Sequence, residues 1–139
     1  MTSSPSSTAP PSALTLAPDF LRAAAIGLSF RVQQDADLPF LAALYRSTRE
    51  SELDRTSWSE TEKQAFISMQ FDAQRRHYSD YYPTAAWLII EIATQAVGRL
   101  YLDHWQGEHR IIDIALMPQV RGQGFGTAIL ADLKEDAAR

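Results

Sequence analysis

Three of the chain's six glycines stand at alternate positions in one short segment, Gln119 to Gly126, which reads QVRGQGFG. An apolar strand-like run precedes this segment, and an amphipathic helix-like run follows it. Glycine lets the backbone turn tightly and brings bare N–H groups close to a ligand. The first N–H groups of the next helix lack partners within that helix and lie at its positive dipole end. The segment therefore predicts a strand–loop–helix unit with a site for an anion such as a diphosphate. A glycine-rich connector without a ligand is the alternative.

The rest of the chain alternates between strand-like and helix-like periods. A capping box of Ser59 and Glu62 predicts a helix that runs to about Tyr78, and Asp37 before Leu38-Pro39 predicts the cap of an earlier helix. Gly98 indicates a bulge. The predicted strands are Ser29–Gln33, Trp87–Ile92, Val97–Asp103 and Arg110–Leu116, and the last predicted helix is Phe125–Ala138. This order, with three consecutive strands in an antiparallel meander, predicts an α+β fold.

Two helices are expected to bury one apolar stripe each. In the helix after Ser59 the expected stripe is Ala65, Phe66, Met69 and Ala73. In the last helix the expected stripe is Ile129, Leu130, Leu133 and Ala137.

Length and composition limit the class of protein. The chain has 139 residues, which suits one domain, and its formal charge of −4 argues against nonspecific nucleic-acid binding. There is no cysteine, so no protein thiol can act as nucleophile, and no apolar run reaches the ~18 residues of a membrane helix. Residues 1–17 are uncharged and rich in Ser, Thr, Pro and Ala. We expect a flexible tail over 1–27, with a short helix near 18–26, and a domain over 28–139.

Other catalytic and phosphate motifs fit the chain less well. The glycine segment has Thr127 where a dinucleotide fingerprint needs glycine, and a P-loop lysine is absent. The pattern Arg/Gln-x-x-Gly-x-Gly/Ala is met by Arg121, Gly124 and Gly126. The stretch Ile112 to Leu130 resembles the acyl-CoA-binding motif of the GNAT superfamily of N-acyltransferases, and the resemblance covers roughly residues 28–139. It implies a mixed, mostly antiparallel sheet flanked by helices, as in small bacterial members.

The resemblance also implies a cosubstrate site for acetyl-CoA, without a metal. The strand end at Leu116 and Met117 is expected to pair with the pantetheine arm. The pyrophosphate is expected at Arg121, Gly122, Gln123, Gly124, Phe125 and Gly126, with Thr127 adding a hydroxyl. An amine then attacks the thioester directly, so the implied activity is N-acetyl transfer to a small amine, a peptide N-terminus or a lysine. The implied setting is the bacterial cytoplasm, away from membranes.

An amine needs a base to lose its proton near neutral pH. Asp113, within the last strand, and Glu108, in the turn before it, are the candidate catalytic residues because the family often places a carboxylate there. Asp113 could equally be a solvated or capping side chain, and Glu108 a plain turn residue. His77, His104 and His109 lack metal-ligand spacing. Tyr81 and Tyr82 could line an acceptor pocket or pack a helix end.

Family members continue beyond this last helix with further strands, which the 139 residues do not include. We therefore expect the C-terminal strands to be missing, so that the strand Arg110–Leu116 becomes a sheet edge. Such an edge favours pairing with a second copy, which predicts a homodimer. It also leaves open a second function, a non-catalytic module that binds CoA or a partner.

Overall fold

A computed structural model describes residues 20–105 and 108–137. These residues form a sheet of four strands between two layers of helices. The helices are α1 (Leu21–Ala25), α2 (Leu38–Asp54), α3 (Glu60–Tyr81) and α4 (Phe125–Ala137). The strands are β1 (Leu28–Val32), β2 (Ala86–Ile92), β3 (Gln95–Trp105) and β4 (Glu108–Leu116). The α+β class and the element order predicted from the sequence are confirmed.

The sheet is antiparallel throughout, in the order β1-β2-β3-β4. The nearly continuous apolar run of β2 lies in the interior of the sheet, as buried strands require. The three-strand meander is confirmed, and β1 pairs with β2 on the far side. Within the described residues β4 is therefore an edge strand.

The two faces of the sheet differ in chemistry. One face packs against α1 and α4 through an apolar cluster that includes Leu88, Leu100 and Ile129, each fully buried. The other face packs against α2 and α3 around Leu41 and Ile89. This second face also carries polar side chains of β3 and β4. The site described below lies along it and along the edge of β4.

Two bulges interrupt the ladders. Gly98 pairs with Ile90 and Ala96 with Glu91, which leaves Val97 as the extra residue. The bulge predicted at Gly98 thus lies one residue earlier. Glycine is needed at 98 for another reason, because a Cβ there would lie 2.4 Å from the carbonyl oxygen of Ala115.

The second bulge is in β4 and was not predicted. Tyr101 pairs with Asp113 and Leu102 with Ile111, so Ile112 is the extra residue. A bulge bends its strand and re-aims the neighbouring side chains. No glycine or proline marks this position in the sequence.

Helix α3 begins as predicted but buries a different face. The Ser59 hydroxyl accepts from the Glu62 N–H at 3.2 Å, and the Glu62 carboxylate accepts from the Ser59 N–H at 2.8 Å. The predicted stripe is wrong, since Ala65, Met69 and Ala73 are exposed. The helix instead turns towards the sheet a face that includes two apolar and two amide side chains, Ile67, Gln70, Phe71 and Gln74.

Helix α2 starts at Leu38 as expected, but Asp37 does not cap it. The Asp37 carboxylate reaches back to the N–H of Gln34 at 2.7 Å and accepts two hydrogen bonds from Arg31, at 2.7 and 2.9 Å. Those bonds with Arg31 lower the pKa of Asp37 below its usual value. The carboxylate therefore ties β1 to the turn before α2.

Helix α1 is packed, with Phe20 and Ala23 buried against α4. The buried Asp132 carboxylate accepts from the N–H groups of Arg22 and Ala23, both at 3.0 Å. The packed region therefore begins upstream of residue 28, the predicted boundary, and the predicted tail over 1–17 lies outside the described residues. In α4, Ile129 and Leu133 are buried as predicted, whereas Leu130 is 44% exposed. Across residues 20–105 and 108–137, no helix combines the length and apolarity needed to cross a bilayer.

Candidate active site along the edge of β4

The predicted strand–loop–helix unit is present. Strand β4 ends at Leu116, a 3₁₀ turn covers Pro118–Val120, and α4 begins at Phe125. Gly122 and Gly124 have φ angles of +76° and +84°, which side-chain-bearing residues rarely adopt. The loop therefore requires glycine at these two positions for its shape.

Gly126 has a different role, because its φ is not positive. It lies in the first turn of α4, where the N–H of Ala128 bonds the carbonyl of Gly124 at 3.0 Å. A Cβ at 126 would meet no protein atom within 4 Å. The space above the first N–H groups of α4 is thus open, and its polarity suits an anion.

Next to this loop, β4 presents unpaired backbone groups. The N–H of Met117 bonds the carbonyl of Val97 on β3 at 2.8 Å. Because alternate residues of a strand direct their backbone groups to opposite sides, those of Ile114 and Leu116 point away from β3. Of the two residues predicted to pair with pantetheine, Leu116 directs its N–H outwards and its carbonyl accepts from Arg121, whereas Met117 has its N–H occupied by Val97.

Arg121 bridges this edge to helix α2. Its Nε donates to the Leu116 carbonyl at 2.8 Å, and its Nη2 donates to the Ser47 hydroxyl at 3.2 Å. The side chain of Arg121 therefore covers part of the β4 edge.

A cavity of about 450 Å³ adjoins these groups. We call it the cofactor cavity, and its lining is predominantly apolar; it comprises Thr48, Ile114, Ala115, Leu116, Arg121, Gly126 and Leu130. Its volume lies within the ~300–1,000 Å³ usual for small-molecule sites. Leu130, predicted to be in the core, is exposed because it forms part of this wall.

The candidate base Asp113 lies on the polar face of the sheet. Its carboxylate forms an ion pair with Arg99 of β3, which is only 3% exposed and also donates to Gln74 of α3 at 3.1 Å. The Nε of Arg99 is buried and has no hydrogen-bond partner among the described residues. Asp113 lies two residues from Ala115 on the same face, about 7 Å along the strand from the cofactor cavity.

The second candidate, Glu108, lies at the first position of β4, paired with Trp105 at the hairpin. It is five residues from Asp113, which corresponds to about 15 Å of strand. The structure therefore brings Asp113, and not Glu108, near the cofactor cavity.

A second cavity, of about 190 Å³, opens on the same face beyond Asp113. We call it the aromatic cavity, and it is lined by Gln33, Arg75, Tyr78, Ser79, Trp87 and Tyr101. Burial raises the pKa of the Tyr101 phenol, whose hydroxyl donates to Gln33 at 2.6 Å. Burial, together with the charge of Asp113, also raises the pKa of Tyr78. Sequence reasoning singled out Tyr81 and Tyr82 instead; Tyr81 is 70% exposed and stacks on His77.

The histidines are placed elsewhere. His104 and His109 face each other at the β3–β4 hairpin, and Nε2 of His109 lies 2.5 Å from the carboxylate of Asp136. In the part of the chain that the structure describes, no group of three potential ligands is arranged to hold a metal ion.

The solved structures that share this fold include the following two. The PaiA N-acetyltransferase from Thermoplasma acidophilum, in complex with coenzyme A, matches with a TM-score of 0.54 and 15% identity, over 80% of this chain and 72% of that chain. A GCN5-related N-acetyltransferase structure from Rhodopseudomonas palustris (Aminotransferase, Class-II) matches with a TM-score of 0.50 and 21% identity, over 79% and 65%. At such identities the likeness shows the fold alone. No curated protein matches the chain.

The family is shown by sequence. A family model described as the Acetyltransferase (GNAT) family matches residues 42–139, which is more than half of the chain. The match includes β4, the glycine loop and α4, the elements that form the cofactor cavity. The chain therefore belongs to the GNAT acetyltransferase family.

Proposed function

We propose that this protein is an N-acetyltransferase that takes the acetyl group from acetyl-CoA and transfers it to a primary amine. The observation that carries the proposal is the open space over the first N–H groups of α4, beside a cavity that follows the unpaired edge of β4. An anionic group with an extended polar arm fits this combination of an anion site and a strand edge.

Different residues hold the pyrophosphate and the pantetheine arm of the cosubstrate. The N–H groups from Gly122 to Thr127 face the pyrophosphate, and the outward backbone groups of Ile114 and Leu116 pair with the pantetheine arm. Arg121 exchanges its bond with the Leu116 carbonyl for contact with a phosphate.

When bound, acetyl-CoA supplies a thioester whose acyl group moves to the amine nitrogen. An N–C bond thereby replaces the C–S bond, and the leaving thiolate takes up the proton that the amine loses. We propose that an outward N–H of β4 polarises the thioester carbonyl; loss of one such donor costs other enzymes about 3 kcal/mol. Asp113 is the candidate to accept the amine proton, directly or through water.

The cosubstrate site is tested at Gly126. A valine there enters open space without backbone strain and fills the region proposed for the pyrophosphate. We expect Gly126→Val to remain folded and to weaken CoA binding at least about 30-fold, or 2 kcal/mol, by calorimetry. Gly124→Val is a poorer test, because the φ of +84° at that position adds strain.

Gly126→Ala is the matched control. It keeps most of the open space and improves the helix propensity of α4 by up to about 1 kcal/mol. Folded Gly126→Val protein that binds CoA like the original chain would contradict the proposal.

One observation favours the alternative, a CoA-binding module without catalysis. The carboxylate of Asp113 forms an ion pair with Arg99, which competes with its use as a base. Product formation from acetyl-CoA and an amine panel, measured beside CoA affinity, separates the two functions. CoA binding without any acetylated product supports the module.

The assembly and setting are also proposals. The outer side of β4 is unpaired within the described residues, and Ile111 on this strand is 39% exposed. Such an edge favours pairing between copies, so we propose a homodimer formed through the part of β4 near Ile111, which leaves the outward backbone groups of Ile114 and Leu116 to the pantetheine arm. Helix α1 does not cover this edge, since it packs on α4. Light scattering that shows a dilution-insensitive monomer would contradict the dimer. We place the reaction in the bacterial cytoplasm, as the family resemblance suggests.

A further inference from the structure

We propose that the aromatic cavity is the acceptor site and that it selects an amine carried on one aromatic ring with a carboxylate. The inference rests on the proposed acetyl transfer and adds the class of acceptor. It follows from the shape of the cavity, its charge and its place beside Asp113.

Three rings form the walls. Tyr78 and Trp87 are nearly parallel, at 21° with centroids 6.1 Å apart. Tyr101 is perpendicular to both, at 5.8 Å from Tyr78 and 4.7 Å from Trp87. The three rings pack on one another, and the surfaces that they turn to the cavity provide stacking and edge contacts for a flat apolar group.

The size limits the occupant. At about 190 Å³, the aromatic cavity is smaller than the ~300–1,000 Å³ of sites for drug-sized ligands. A single ring with short substituents fits this volume, and a polypeptide could place no more than about one side chain in it.

Arg75 sets the charge of the aromatic cavity. Among the described residues that line the cavity it alone is charged, and its Cζ lies 5.9 Å from the centroid of the Phe71 ring. The nearby charge of Asp113 is balanced by Arg99. Arg75 forms no salt bridge with a described residue, so its guanidinium favours a carboxylate on the ligand and disfavours an acceptor with several ammonium groups.

The cavity is placed to deliver an amine. Tyr101, in its wall, is the direct cross-strand partner of Asp113. Ala115, in the wall of the cofactor cavity, follows Asp113 by two residues on the same face. Asp113 therefore lies between the two cavities, where an amine from one and a thioester from the other would meet.

Two pairs of probes isolate the carboxylate. 4-(Aminomethyl)benzoate and benzylamine differ by a carboxylate at the far end of the ring from the amine. L-Phenylalanine and phenethylamine differ by a carboxylate beside the amine. Spermidine serves as a polycationic probe. Binding is measured by saturation-transfer NMR, and transfer is measured as acetylated product by mass spectrometry.

The key variant is Arg75→Gln, which removes an exposed charge without disturbing the core. In the original chain we expect one carboxylate probe to exceed its neutral partner at least about five-fold in affinity and in kcat/KM. In Arg75→Gln the two should become equal. Arg76→Gln, at the next and also exposed position of α3, is the matched control and should keep the preference.

Each outcome decides the proposal. A carboxylate preference that disappears only in Arg75→Gln supports it. Equal binding within both pairs, a preference unchanged by Arg75→Gln, or spermidine as the best acceptor overturns it. CoA affinity is measured separately in every variant, so CoA binding and transfer to spermidine would overturn this inference and leave the proposed function standing. Binding of the carboxylate probes without transfer would overturn the acceptor role.

Discussion

The buried guanidinium of Arg99 on β3 forms an ion pair with the carboxylate of Asp113 on β4. Arg99 lies two residues along β3 from Tyr101, the residue that pairs directly with Asp113. Arg99 is 3% exposed, so its buried charge is compensated by this partner and by the hydrogen bond to Gln74. The pair holds the Asp113 carboxylate in a defined position on the face that leads to the cofactor cavity. It also couples that carboxylate to the stability of the sheet.

Replacing Asp113 should therefore destabilise the fold. Asp113→Asn leaves a buried arginine charge without its partner, and such losses cost about 3 kcal/mol or more. We expect the free energy of unfolding, measured with urea at neutral pH, to fall by this amount. The double variant Arg99→Met/Asp113→Asn should recover part of it, because both charges are then removed. An unchanged unfolding midpoint in Asp113→Asn would show that the pair contributes nothing.

The same substitution tests the proposed base. Where acetyl transfer occurs, Asp113→Asn should lower the rate most at low pH, because there the amine most needs help to lose its proton. The measurement is kcat/KM per folded molecule as a function of pH, with the folded fraction taken from the unfolding curves. A pH profile of the same shape as that of the original chain would remove Asp113 from proton transfer and leave water as the acceptor of the proton.

The close approach at Gly98 gives a third prediction. Gly98→Ala should destabilise the protein by about 2 kcal/mol, because the added Cβ would lie 2.4 Å from the Ala115 carbonyl oxygen and 2.9 Å from Leu116. β3 and β4 would have to separate at the point where the cofactor cavity begins. Urea unfolding measures the stability. Gly126→Ala is the control, because a Cβ added at that position meets no neighbouring atom. Equal stability of the two variants would contradict the prediction.

Local signals explain what the sequence could predict. The capping box at Ser59 and Glu62 and the glycine pattern from Gly122 to Gly126 act within a few residues, so their structures follow from short segments. The buried face of α3 could not be predicted in this way. Gln74 is turned towards the sheet because Arg99 needs an acceptor there, and that need arises from a strand 25 residues away.

The aromatic cavity has the same origin. Tyr78, Trp87 and Tyr101 come from a helix and two strands, and only the pairing of β2 with β3 sets the rings of Trp87 and Tyr101 at right angles. The bulge at Ile112 likewise depends on the register with β3 and has no mark in its own segment. Contacts between distant segments thus form the proposed acceptor site, whereas the glycine loop of the proposed cosubstrate site is one contiguous segment.

The Arg31–Asp37 pair gives a prediction for acid stability. The lowered pKa of Asp37 means that the folded protein keeps this carboxylate charged at pH values where the unfolded chain protonates it. The stabilisation is therefore fully present above about pH 4, the usual value for an aspartate, and is lost as the pH falls through the lower folded value. At neutral pH, Asp37→Asn should lower the free energy of unfolding by about 2 kcal/mol, because hydrogen bonds between charged groups are lost at a nearly buried site. The difference in free energy of unfolding between the two proteins should become smaller below about pH 4, as measured by urea unfolding at each pH.

Asp35→Asn, at an exposed position two residues earlier, is the control for a general charge effect. A gap that stays constant from neutral pH down to pH 2 would show that the ion pair does not stabilise the folded chain.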